Sequence, residues 1–274
     1  MKIFIFIFIN ILIIAAAELT GKLFFNSGAI HAIALIFVIV AALPLVRNYY
    51  LADPIFKKFL NASIFAFLLF SVSHAAEYFL FLVNKDYVDF IFAIAINFYL
   101  ASILLIVLGS EIFLRAYSGY HRSRMPIIVI GAFIALIVSF SFFLIMDPKA
   151  ISLEPESIFP YIYMVIVIIA GFLFWKRISK LKTSLNPSFA GFFRFFGIMI
   201  IFVMASALFY IFYELIEKAA KIPEYQTIYF SHFFFYIGLS IMFFAFEELL
   251  KIGGVVKDVR ELLNKKNNNN NINR

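Results

Sequence analysis

Two histidines and a few carboxylates carry most of the chemistry this sequence can offer. His74 and Glu77 stand three residues apart, and Ser71 and Tyr78 join them at spacings that place all four on one helix face. Ser206, Tyr210, Tyr213, Glu214 and Glu217 repeat that spacing further along. A third stripe consists of Tyr229, His232, Tyr236 and Ser240. His74, Glu77 and His232 make a candidate metal set, since imidazole nitrogen and carboxylate oxygen are ordinary ligands of zinc and other borderline cations. A wider set of His74, Glu77, Tyr210, Glu214, His232 and Tyr236 suits a small polar ligand or a proton. Glu214 is the candidate base for a metal-bound water. The same groups also suit an interhelical hydrogen-bond network that only fixes packing.

Several chemistries are absent. The chain has no Cys, so thiolate metal sites, disulfides and a thiol nucleophile are excluded. No P-loop or dinucleotide fingerprint occurs. The last apolar stretch, from Ile228 to Phe246, has no Lys for a retinal Schiff base. A haem held by His74 and His232 is a minor option. The formal charge of +7 does not indicate nucleic acid, because the basic residues sit in short loops between apolar stretches, where lipid headgroups are their partners.

The elements that carry the stripes are membrane spans. The residues are 64% hydrophobic and 14% charged, and the mean hydropathy of +1.00 leaves no room for a water-soluble globule. Apolar stretches are predicted at roughly 3–19, 28–46, 59–83, 90–113, 126–146, 158–175, 195–216 and 227–249, each near the length needed to cross the hydrocarbon as a helix. The period-two alternation of a membrane β-barrel is missing. The expected fold is therefore all-α: a polytopic transmembrane bundle over residues 1–252, with a seven-span core and an N-terminal hydrophobic helix. That first helix reads either as an eighth span or as a signal peptide ending at Ala15-Ala16-Ala17. Asn10 within it favours a retained, packed helix. Residues 253–274 are expected to form a cytoplasmic amphipathic helix followed by a disordered Asn-rich tail.

Charge orients the bundle. All of the 23 Lys and Arg residues except Lys22, Lys85, Lys149, Lys218 and Lys221 fall on one side, which the positive-inside rule makes cytoplasmic, together with the C-terminus. The His and Glu stripes then share one level in the non-cytoplasmic half, about 8–14 Å below the outer span ends at 1.5 Å per residue. His31, just inside the second span, is placed shallower. Ionisable groups within spans are costly unless they face the bundle interior or water, so this level is where function is sought.

The topology resembles seven-span receptors and sensor domains. That resemblance implies a receptor-like or sensory module at the cell membrane, with an outward-facing polar pocket and a cytoplasmic or membrane protein partner reached through the C-terminal helix. One alternative is a zinc-dependent membrane hydrolase acting on lipids. The zinc-dependent seven-span hydrolases carry a final-span His-x-x-x-His, however, and here His232 is followed by Tyr236. The other alternative is a small proton- or cation-coupled secondary transporter, against which polar residues are sparse at mid-depth.

Overall fold

The computed structural model describes residues 2–20, 28–49, 54–80, 88–118, 131–132, 159–184 and 187–245. These form α1 (Lys2–Thr20), α2 (Ala29–Tyr49), α3 (Pro54–Leu80), α4 (Val88–Ser118), α5 (Phe159–Ser184), α6 (Pro187–Ile211), the short α7 (Tyr213–Ala220) and α8 (Glu224–Ala245). No strand occurs among the described residues. Proline at the first position of α3 and α6 gives up an amide that a helix start leaves unpaired anyway, while its fixed φ suits the first turn.

The chain has the helices of a multi-pass membrane protein. Five of them are long and apolar enough to cross a bilayer: Ala29–Arg47, Phe56–Phe79, Ala95–Phe113, Ala190–Ile211 and Glu224–Ala245. The apolar windows of α1 and α5 are shorter, Phe8–Ala17 and Tyr161–Lys176. Among the described residues, five of the eight apolar stretches thus form full-length candidate spans. The stretch expected at 126–146 lies outside the described residues apart from Gly131 and Ala132, and so do the tail from residue 246 and its amphipathic helix.

Side-chain distribution follows the bilayer as solvent. Ile36, Ile39 and Leu43 on α2, Phe65 and Leu68 on α3, and Ile168, Phe172 and Trp175 on α5 are exposed. Apolar exposure of this extent is an aggregation hazard in water and is the normal state against lipid. Inside, these serines bond their own helix: Ser63 donates to Phe59 O, Ser102 to Phe98 O and Ser110 to Ile106 O, so their hydroxyl hydrogens are not stranded in an apolar surrounding.

Packing runs in sequence around the bundle. α2 lies on α3, α3 on α4, α4 on α5 and α5 on α6. At one end Phe56 and Phe59 of α3, Phe113 of α4, and Phe192, Phe193 and Phe196 of α6 form an aromatic knot. Its centroid separations include 5.0 Å for Phe113–Phe193 and 5.5 Å for Phe59–Phe196. α8 closes the bundle against α6, where Gly238 permits a near approach: a Cβ there would sit 3.2 Å from Met199 O. α1 docks on α8 through buried Asn10, whose Nδ2 donates to Ser240 Oγ at 3.2 Å. The knot fixes one end of the bundle, and the polar stripes meet at the other.

Candidate metal centre

Three helices deliver the site. His31 lies in the first turn of α2, and its position is set locally. Gly28 takes φ 67°, a left-handed conformation that costs glycine nothing, and its carbonyl accepts from His31 N at 3.0 Å and Ala32 N at 3.2 Å. The Tyr236 hydroxyl of α8 donates to Ile30 O, tying the same turn to its neighbour. His74 and Glu77 come from the last two turns of α3, and His232 from the first half of α8. Because α3 runs towards this end while α2 and α8 run away from it, their ends meet at one level.

The four side chains converge. Glu77 Oε2 accepts from His74 Nδ1–H at 2.7 Å and from His31 Nδ1–H at 2.9 Å. His232 Nδ1–H donates to Ile228 O at 2.9 Å, which leaves its Nε2 as the lone-pair nitrogen, 3.1 Å from His31 Nδ1. Ring centroids are 4.6 Å apart for His31 and His232 and 5.5 Å for His74 and His232. Exposure is 2% for His31 and His232 and 3% for His74 and Glu77.

This group can hold a metal ion. One ligand atom from each residue lies within 4.8 Å of all the others. A tetrahedral ion with bonds of about 2.0–2.1 Å needs ligand atoms about 3.3 Å apart, so the observed spacings bracket the required edge. The carbonyl bond at His232 is the outer support that metal-binding imidazoles ordinarily have: it fixes tautomer and ring plane together. Charge points the same way. No Lys or Arg nitrogen pairs with Glu77 among the described residues, so with neutral imidazoles the cluster carries one negative charge inside the bundle. A divalent cation reverses that imbalance where its cost is greatest.

A small cavity of about 10 Å³ adjoins the cluster on the α6 side, bordered by His74, Glu77, Ser206, Tyr210, Ser231 and His232. That is room for one water-sized particle. Ser231 Oγ donates to Ser206 O at 2.9 Å across the α6–α8 contact. His74 Nε2 is buried with no hydrogen-bond partner among the described residues.

The residues singled out from sequence fall in three places. His74, Glu77 and His232 meet in the cluster. Tyr210 borders the cavity, and Tyr236 anchors the first turn of α2 with its ring 6.2 Å from His232. Glu214 stands apart on α7, where Tyr213 Oη donates to its Oε1 at 3.0 Å. The structure adds His31 as a fourth donor. Its type and span were visible in the sequence, but it belongs to no spaced stripe, and its apparent shallowness set it aside. No protein-family model, no curated protein and no solved structure matches the chain.

Proposed function

We propose that this chain is a multi-pass membrane protein that binds one divalent transition-metal ion, zinc foremost, through His31, His74, Glu77 and His232. Occupancy of that site is its functional state. The observation that carries this is the convergence of four buried donors from three helices within 4.8 Å. An ion there tightens the first turn of α2 against α3 and α8, adding to the Tyr236–Ile30 and His31–Glu77 bonds, and its loss leaves that turn held by those bonds alone. The cluster belongs to the non-cytoplasmic half by the charge pattern of the loops. The protein thus serves as a sensory module: the metal is bound from outside, and its state is passed to a partner at the cytoplasmic end through the C-terminal segment.

A lipid hydrolase fits less well. A catalytic zinc keeps a coordination position open for water, whereas four protein donors fill a tetrahedral shell. The adjoining cavity of about 10 Å³ takes a water and no headgroup. One competing reading is favoured by a specific observation, two imidazole N–H groups on a single carboxylate oxygen, an arrangement that equally suits a held proton.

Metal analysis of protein purified in detergent without chelator separates the two. One zinc per chain, lost in His31→Ala and His74→Ala chains that remain folded, supports the metal centre. A metal-free chain whose stability does not rise with added zinc, cobalt or nickel favours the proton network.

A further inference from the structure

The cavity beside the cluster is lined by polar groups whose hydrogens can be counted. Ile96 of α4 and Ala207 of α6 form its apolar wall, and most of the hydroxyl hydrogens around it are committed. Tyr99 Oη–H donates to Val203 O at 3.1 Å, and Ser231 Oγ–H to Ser206 O at 2.9 Å. With the Ser231 hydrogen so used, Ser206 is the donor in the 3.2 Å contact between the two serine oxygens. His74 stands differently. Its Nδ1–H donates to Glu77 Oε2 at 2.7 Å, so in the neutral ring Nε2 carries the lone pair. No donor among the described residues reaches that nitrogen, the Tyr210 hydroxyl included, although the residue is only 3% exposed. A buried acceptor left without a donor is costly, and this one belongs to a residue that borders a space of about 10 Å³, enough for one water-sized particle.

We infer that the cavity is the binding site of one buried water and that this water is the outer support of the His74 ring, an inference that rests on the metal centre proposed above. The occupant has to act in both directions. In the metal-free cluster it donates to His74 Nε2. An ion at the cluster takes the lone pair of Nδ1, the nitrogen that faces Glu77; the hydrogen lost there is matched by one gained at Nε2, and the imidazole stays neutral. Nε2–H then needs an acceptor, as the second nitrogen of a metal-bound imidazole ordinarily does. A carbonyl can only accept and an amide N–H can only donate, whereas a water turns over and does either. The hydroxyl oxygens of Ser206, Ser231 and Tyr210 border the same space and supply the further polar partners a buried water requires. His232 has fixed support from Ile228 O, and His74, whose Nε2 changes role, has a reversible one.

Nitrogen-15 NMR of histidine-labelled, full-length protein in nanodiscs tests this, since the chain has only four histidines and His74→Ala assigns the ring in question. Wild-type His74 is expected to carry its hydrogen on Nδ1 without metal and on Nε2 with zinc, and its ring protons should show cross-relaxation with water in both forms. Ala207→Val fills the cavity from its apolar wall; it should abolish that water signal and weaken zinc binding by about tenfold, with one ion still bound at saturation. Ile96→Val trims the same wall without touching a polar group and is expected to keep both the signal and the affinity. A wild-type ring with no water signal in either form overturns the inference, as does zinc-loaded protein that keeps the hydrogen on Nδ1. So does an Ala207→Val chain that loses the water and binds zinc as tightly as wild type, or an Ile96→Val chain weakened as much as Ala207→Val, since packing alone then suffices. Wild-type protein that takes up no zinc removes the metal centre itself, a result distinct from normal zinc uptake beside a dry His74 ring.

Discussion

At the residue scale, the centre depends on four donors and the groups that aim them. Removing a ligand is expected to cost more than removing its support, so His31→Ala should weaken zinc binding by more than about 100-fold, as should His74→Ala. Equal losses matter most for His31, which only the folded structure brings in. Tyr236→Phe removes the hydroxyl that grips Ile30 O and should lower affinity by about tenfold while leaving one ion per chain at saturation. Competition titrations with a chromophoric chelator measure both. Affinity should also fall as pH falls, because protons compete for the same imidazole and carboxylate lone pairs. His74 and Glu77 were legible in the sequence because two buried groups at i,i+3 announce a shared helix face. His31 was not, since a lone histidine in the first turn of a helix has no spacing to betray it.

At the element scale, two glycines set helix ends and helix separation. Gly28 holds φ 67°, so Gly28→Val forces a branched side chain into the left-handed region at a cost of about 1–2 kcal/mol. Such a chain is expected to melt lower and to bind zinc more weakly, because the carbonyl that caps His31 N moves with the strain. Gly238→Val meets Met199 O and Val203 at 3.2 Å and should lower the melting temperature by pushing α8 from α6, with a smaller effect on zinc, since α2 and α3 supply three of the four donors. Thermal unfolding with and without zinc distinguishes the two patterns. Depth along each helix was readable from 1.5 Å per residue, yet hydropathy marks the membrane boundary and not the helix end. α8 begins at Glu224, before the apolar stretch, and α7 extends α6 beyond it. His232 is therefore eight residues into its helix and His31 two into its own, and the two still meet.

At the scale of the whole molecule, the helical class and the membrane were legible because composition and span length admit few alternatives. The order of helices around the bundle was not, since it is decided by interlocking contacts such as the phenylalanine knot and the Asn10–Ser240 bond rather than by any local pattern. Orientation is open to direct test, because the chain has no Cys to remove first. In intact cells an impermeant thiol reagent should label a Glu217→Cys chain and spare a Lys58→Cys chain until the membrane is opened; the reverse labelling would invert the topology and put the metal centre in the cytoplasmic half. The central claim is met most directly by zinc X-ray absorption on the purified chain. The four-donor centre predicts about one zinc per chain, with four nitrogen or oxygen neighbours at about 2.0–2.1 Å and a loss of that signal in the His31→Ala chain. Protein with no bound metal after zinc loading, or with a zinc shell unchanged by removal of His31, would contradict it.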